Sequence, residues 1–251
     1  PATQSLIADY FEPEALSPVL LKGLTEPIRP HRVIGVSDVQ SRFEAAERKG
    51  LTRFTGRDLE LTALQSRLDR AAAGEGQLVT VVGEAGAGKS RMMYEFRRRV
   101  SRERVTLLEG RCVPNGTTNP YLPFLNALRA GLQIHDDDSV EVSRDKVVRG
   151  IQAGDPSLVA FLPYYFDLLA LPPDPNTPPT REPETERRAL LERALVQAVV
   201  AAARIRPVAL ILEDWHWSDE ASRSTLWRMM EILPQLPVLV VLVYRSSEFQ
   251  L

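Results

Sequence analysis

Cysteine, lysine and long apolar runs are scarce in this 251-residue chain, and neither sign of charge is in large excess. The single cysteine, Cys112, excludes an intramolecular disulfide and fits a reducing cytoplasm. The apolar run at residues 238–243 is far shorter than the roughly 20 residues that a membrane-spanning helix needs. A net charge of −2 gives no electrostatic reason to expect nucleic acid or a membrane as a partner.

Several kinds of catalytic and metal site are missing as well. His31, His135 and His216 lie far apart, and with one cysteine they give no zinc-site spacing. Residues 136–138 are consecutive aspartates without the alternation and glycine of a calcium loop, so we expect a solvated turn. The serine elbow G-x-S-x-G is absent. Cys112 follows a predicted strand and is expected to pack rather than to act as a nucleophile.

The amino terminus does not resemble a secretory signal, because no basic stretch precedes an apolar core there. It also lacks an initiator methionine and starts inside a predicted helix. We therefore expect the chain to be a piece of a longer protein.

Three segments differ in composition: residues 1–36, a connector at 37–53, and a larger domain at 54–251. In the first segment we predict a short helix at 4–11 and extended stretches at 17–22 and 31–36. Pro27 and Pro30 favour a turn between those two stretches. Residues 38–51 are predicted to form a polar helical connector.

The third segment alternates between strand and helix patterns. Predicted strands cover residues 78–82, 105–109, 208–212 and 238–243, and predicted helices cover 57–73, 89–100, 123–132, 140–151, 184–204 and 219–232. Ser218 is the expected cap of the last helix, and the proline-rich residues 172–183 are an expected surface loop. This alternation predicts an α/β fold, with a mostly parallel sheet covered by helices on both faces.

The sequence GEAGAGKS fits the phosphate-loop pattern G-x-x-x-x-G-K-[ST] at every fixed position. It follows an apolar strand and opens a helix, as the pattern requires. Glycines let several backbone N–H groups point at one phosphate, and the helix N-terminus adds positive potential. Lys89 is predicted to reach the β- and γ-phosphates, and the Ser90 hydroxyl to bind Mg²⁺. The predicted nucleotide-binding residues here are Gly83, Glu84, Ala85, Gly86, Ala87, Gly88, Lys89, Ser90 and Arg91.

A second apolar strand, at residues 208–212, runs directly into Glu213 and Asp214. The carboxyl end of a buried parallel strand delivers such acids beside the phosphates. By position, Glu213 is the predicted magnesium acid, binding the metal through water, and Asp214 is the predicted base for the attacking water. Many hydrolysing relatives have aspartate first and glutamate second. The shorter acid in the base position makes slow hydrolysis the expectation.

Taken together, FTGRDLEL at 54–61, GEAGAGKS and LEDWHWSD at 212–219 resemble the AAA-type ATPase module of the STAND signalling class. PYLPF at 120–124 is also similar to the helix entry of that family. The resemblance implies ATP and Mg²⁺ as ligands, Gly56 and Arg57 near the nucleotide base, and Arg245 as a catalytic sensor of the γ-phosphate. His216 and Trp217 also match a family motif. For these two residues we expect a packing role at least as much as a functional one.

The first segment resembles something else. LLKGLTEPI at 20–28, followed by HRV at 31–33, is similar to the closing strands of a class III adenylate or guanylate cyclase domain. SRFEAA at 41–46 resembles the linker in bacterial fusions of that domain to the ATPase. The resemblance implies that a flanking cyclase and downstream domains are partners, and that the cyclase's catalytic residues precede Pro1.

The family's sheet usually has strand order 5-1-4-3-2, and the fifth strand and a helical lid would follow Leu251. We therefore expect an open edge at residues 78–82, weak ATP binding, little hydrolysis and a tendency to self-associate. Three functions remain open: an ATP-driven signalling switch, an adenylate cyclase regulated by this module, and a small-molecule kinase. The bulky residues after the acids and the 54–61 segment favour the ATPase over a kinase.

Overall fold

A computed structural model of the chain describes residues 11–21, 27–36, 50–51, 53–114, 119–172 and 182–246. The chain forms two compact units, Pro1–Gly56 and Arg57–Leu251. Three predictions fall wholly or largely outside the described residues: the helix at 4–11, the connector at 38–51 and the proline-rich loop at 172–183. Of the first of these, only Phe11 is described, and it begins a strand instead of ending a helix.

The first unit contains an antiparallel pair, β1 (Phe11–Ala15) and β2 (His31–Val36). The strand predicted at 31–36 is confirmed, whereas the one predicted at 17–22 is not. The strand that pairs with β2 is β1, and the described residues between them, 16–21 and 27–30, contain an isolated bridge from Val19 to Ile28. Pro13 lies at an irregularity in the register of β1, which is where a residue without a backbone N–H disrupts a ladder least.

The second unit alternates strands and helices, as predicted. In chain order its elements are α1 (Asp58–Ala72), β3 (Gln77–Val82), α2 (Lys89–Arg99), β4 (Thr106–Arg111), α3 (Leu122–Gly131), α4 (Val140–Gly154), α5 (Leu162–Leu168), α6 (Glu184–Ile205), β5 (Val208–Glu213), α7 (Glu220–Ile232) and β6 (Val238–Tyr244). Short 3₁₀ turns cover Pro156–Phe161, Trp215–Trp217 and Leu233–Gln235.

Two details differ from the sequence-based expectation. Helix α5 and the 3₁₀ turn before it were not predicted, because prolines at 156 and 163 interrupt the helical pattern there. The N-cap of α7 is Asp219, whose carboxylate accepts a hydrogen bond from the Ser222 N–H at 2.8 Å. Ser218, the predicted cap, lies one residue too early.

The four strands among the described residues of the second unit form a parallel sheet in the order β3-β6-β5-β4. In β5 all six residues are buried, and in β6 six of seven are. One face of β4, β5 and β6 packs into the main core with helices α3 to α7. On the other face, α1 packs against β3 and β6 and also contacts α2. The predicted α/β fold with helices on both faces is therefore confirmed.

Strand β3 lies at an edge of the sheet that the described residues form, as the expected strand order requires. Its residues alternate in burial: Val81 is buried, whereas the side chains of Leu78, Thr80 and Val82 are exposed. Leu78 is 46% exposed and Val82 47%. Within the described part of the chain, no helix is long and apolar enough to cross a membrane.

Candidate functional site

The glycine-rich loop joins the end of β3 to the start of α2. Gly86 and Gly88 have φ values of 79° and 80°, a left-handed conformation that L side chains rarely adopt. The first turn of α2 contains no acidic residue, so no carboxylate within that turn opposes the positive potential of the helix N-terminus. The loop can therefore present backbone N–H groups to an anion such as a phosphate.

Lys89 folds back over this loop. Its Nζ donates hydrogen bonds to the carbonyl oxygens of Gly83, at 2.6 Å, and Glu84, at 2.9 Å. Partial burial lowers the pKa of Lys89, and the positive charge of Arg245 lowers it further, while Asp214 and Glu84 act in the opposite direction. The ammonium group therefore lies at the loop, where the cations Arg245 and Arg57 and the acids Asp214 and Glu84 all influence its charge.

Two arginines from outside the loop lie close to it. The Arg57 Nη2 donates a hydrogen bond of 2.6 Å to the carbonyl oxygen of Ala87. Arg245, directly after β6, and Arg57 both lie close enough to Lys89 to lower its pKa. The next residue, Ser246, donates a hydrogen bond to the carboxylate of Glu84. The structure thus brings Arg57 and Arg245 to the phosphate loop.

Gly56 is the last residue of the first unit and has a φ of 84°. Its assignment to the nucleotide base stays a prediction. Arg91 forms an ion pair of 2.8 Å with Glu95, one turn further along α2. A role of Arg91 in nucleotide binding also stays a prediction.

The two acids at the end of β5 have different surroundings. The side chain of Glu213 is 7% exposed, whereas that of Asp214 is 43% exposed. Asp214 has a φ of 53°, which turns the chain sharply after the strand. The negative charge of Asp214 acts to raise the pKa of Lys89. Asp214 is therefore the more accessible of the two carboxylates at the edge where the phosphate loop lies.

Both carboxylate oxygens of Glu213 are engaged by arginines. The Arg111 Nη2 donates to one oxygen at 2.8 Å, and the Arg97 Nη2 donates to the other. Arg111 is the register partner of Glu213 on β4. Sequence reasoning missed both arginines. The parallel pairing of β4 with β5 would have indicated Arg111, but no sequence signal points to Arg97.

The described residues contain no group of three or more histidine, cysteine, aspartate or glutamate side chains that could hold a metal ion. Mg²⁺ bound to a nucleotide does not need such a group. Its ligands are mostly water molecules and phosphate oxygens, and the protein supplies only one or two more. The Ser90 hydroxyl and the carboxylates at the end of β5 supply hard oxygen ligands of the kind Mg²⁺ prefers. Each oxygen of Glu213 already accepts a hydrogen bond from an arginine, and the side chain is 7% exposed, so a metal would compete with these arginines for it.

The aromatic residues after the acids differ in burial, and Trp217 is 38% exposed. Trp215 is 2% exposed, and its ring meets that of Phe124 edge to face at 6.5 Å. The rings of His216 and Trp217 lie 5.1 Å apart. Asp219 accepts a hydrogen bond from the backbone N–H of Tyr121 at 3.3 Å. This segment therefore ties the start of α3 to the acidic end of β5.

Cys112 and Asp138 lie among structural contacts. Cys112 is 3% exposed, and burial raises the pKa of its thiol to about 12, helped by the charges of Asp219 and Asp214. Asp138 accepts hydrogen bonds from the Lys146 ammonium at 2.6 Å and from the His135 N–H at 2.7 Å. These contacts suit a packed thiol and a local turn.

Comparison with known proteins agrees with this geometry. A model of the AAA ATPase domain family matches residues 53–241. An uncharacterized protein of Rhizobium meliloti (strain 1021) is 32% identical over 233 residues, which cover 90% of this chain and 22% of that protein. The chain therefore spans about a fifth of this relative. The alignment covers 90% of the chain, whereas the second unit, Arg57–Leu251, makes up less than four-fifths of it. The alignment with this relative therefore includes part of the first unit.

Proposed function

The chain belongs to the AAA ATPase domain family, and from this premise we propose that its second unit binds ATP with Mg²⁺ and hydrolyses it slowly. The observation that carries the proposal is the position of Lys89, which lies over a glycine-rich loop with Arg245 and Asp214 in its electrostatic field. A cation in this position suits the β- and γ-phosphates of a nucleotide.

Each residue has a proposed role. The loop N–H groups and the N-terminus of α2 bind the phosphates, and Lys89 exchanges the carbonyl oxygens of Gly83 and Glu84 for phosphate oxygens. Ser90 and an acid of the β5 end hold Mg²⁺, with Glu213 as the metal acid once it is released from its arginines. Arg245 contacts the γ-phosphate.

Asp214 is the proposed base that orients the attacking water. Its side chain is accessible but short, and the left-handed backbone fixes its direction. A nucleophilic water must therefore come close to the strand end to be activated. This restriction supports slow turnover.

The change Asp214→Asn is expected to lower the rate of phosphate release by about tenfold or more, because the amide cannot accept the proton of water. ATP affinity should stay within about threefold of the wild type. Phosphate release without any acceptor substrate is the measurement, with Asp138→Asn as the matched control, because Asp138 pairs with Lys146 away from this loop. An unchanged rate in Asp214→Asn would rule out this role.

The same assay separates the ATPase from the kinase alternative. An ATPase releases phosphate with water alone, whereas a small-molecule kinase needs its acceptor. Stoichiometric ATP binding with no phosphate release in hours, followed by rapid turnover with an added acceptor, would favour the kinase.

We further propose that the ATPase acts as a STAND-type switch in a longer signalling protein. ATP binding would favour one arrangement of attached domains, and hydrolysis would release it. Two observations support this: the relative is much longer than the chain, and its likeness extends into the first unit. The exposed Leu78 and Val82 of β3 support association with a further segment or another copy.

A cyclase domain before the ATPase is proposed on the resemblance of residues 20–28 and 31–33 alone. The parent protein would then make a cyclic nucleotide under control of this module. The full-length reading frame is the direct test, because a cyclase requires metal-binding aspartates upstream of residue 1.

A further inference from the structure

Four charged side chains link the phosphate-loop helix to the acidic strand end. They are Arg97 on α2, Glu109 and Arg111 on β4, and Glu213 on β5, which we call the arginine–glutamate cluster. Arg97 contacts Glu213 and also lies 2.8 Å from Glu109, measured from Nε to Oε2. Arg111 contacts Glu213 at 2.8 Å and lies 3.6 Å from Asp214, measured from Nε to Oδ2. The cluster therefore contacts both acids of the proposed metal site.

Within the cluster, the buried carboxylate of Glu213 is paired with two arginines. One guanidinium occupies each carboxylate oxygen, and the side chain is 7% exposed. A buried carboxylate that loses a paired arginine must gain another cation or hydrogen-bond donor. A water molecule bound to Mg²⁺ is such a donor, and at this buried side chain it competes with the arginine N–H groups for the carboxylate oxygens.

Both arginines would keep an acidic neighbour after leaving Glu213, but the neighbour of Arg111 is the second acid of the strand end. Arg97 is already shared with Glu109, and the partial burial of Glu109 raises the pKa of that carboxyl. Arg111 is 23% exposed at the end of its strand and already lies beside Asp214. Arg111 can therefore move from Glu213 towards Asp214, at the edge where the nucleotide would arrive.

We infer that Arg111 is a positioning residue, which holds the acid pair in a metal-free arrangement and competes with nucleotide-bound Mg²⁺ for Glu213. The inference rests on the proposed function, since it needs a nucleotide at the phosphate loop. Binding of Mg²⁺ and release of Arg111 are then one exchange: one cation replaces another beside the same carboxylate. Metal loading would be set by this competition as well as by the metal ligands themselves.

The test measures equilibrium binding of ATP to the whole 251-residue chain by calorimetry, first in EDTA and then across a magnesium titration. For each variant the EDTA affinity is the reference, and the magnesium concentration for half-maximal gain in affinity is the readout. Arg111→Gln is expected to lower that concentration about fivefold, because the guanidinium cation no longer competes with Mg²⁺ for Glu213. Arg98→Gln is the matched control, since Arg98 lies over the Tyr94 ring and not on an acid of the cluster.

A half-maximal concentration that is unchanged or raised in folded Arg111→Gln would overturn the inference. If that variant fails to fold, Arg111→Lys keeps a cation but loses the guanidinium fork, and a decrease of about twofold is expected. No decrease in Arg111→Lys would be equally decisive against it. Absence of ATP binding by the wild type under both conditions would instead contradict the proposed function, so the two failures are distinguishable.

Discussion

Replacing Lys89 by alanine is expected to weaken ATP binding by about 100-fold or more. The Lys89 ammonium is the group placed to contact two phosphates, and a charge-assisted hydrogen bond contributes about 1.5–3 kcal/mol. Loss of about 2.8 kcal/mol corresponds to a 100-fold change in the dissociation constant. The fold should be little affected, because Lys89 is half-buried and its hydrogen bonds go to carbonyl oxygens of the loop itself.

Calorimetric titration of ATP in the presence of Mg²⁺ measures this effect. Lys146→Ala is the matched control, because Lys146 is also a paired lysine but contacts Asp138 on a local turn. The control should bind ATP as the wild type does. Equal affinity of Lys89→Ala and the wild type would show that the nucleotide does not lie at this loop.

Replacing Gly110 by alanine is expected to destabilise the second unit by about 3 kcal/mol, the upper part of the range for overpacking a core. Gly110 lies on β4, where α3 crosses the strand closely. An added Cβ would lie 1.9 Å from the backbone oxygen of Pro123. Backbone atoms cannot rotate away as a side chain can, so the strand and the helix would have to separate.

Thermal melting measures this change, and for a domain of this size about 3 kcal/mol corresponds to roughly 6–12 °C. Gly131→Ala is the matched control on α3, because its Cβ would meet only the flexible end of Leu108, at 3.1 Å. We expect a shift of no more than about 3 °C for the control. An equal, small shift in both variants would show that β4 and α3 are not in this close contact.

The sheet and most helices of the second unit were predictable because their apolar periodicity is set by burial. Strands such as β5 carry an uninterrupted apolar run because both faces are covered. Helix α5 was not predictable in this way: Pro163 lies in its first turn, and the residues before it form a 3₁₀ turn. The pairing partner of β2 was missed because Phe11–Ala15 contains a proline and two glutamates, which disfavour a strand unless tertiary pairing selects one.

The site was predictable where a motif fixes the chemistry. GEAGAGKS predicted the loop at the end of β3, and the structure places Lys89 over its carbonyl oxygens. The contacts of Glu213 do not follow from any motif, because Arg97 and Arg111 come from positions 116 and 102 residues away in sequence. Arg111 meets Glu213 through the register of β4 with β5, and Arg97 meets it through the direction of α2.

Thermal melting of the wild-type chain with and without MgATP tests the central claim most directly. A ligand at 100 times its dissociation constant stabilises the folded state by about 2.7 kcal/mol, which predicts a rise in the melting temperature of roughly 5–11 °C. The same titration with Lys89→Ala should give little or no rise at equal ligand concentration. A wild-type melting temperature that does not move at millimolar MgATP would contradict nucleotide binding by this chain.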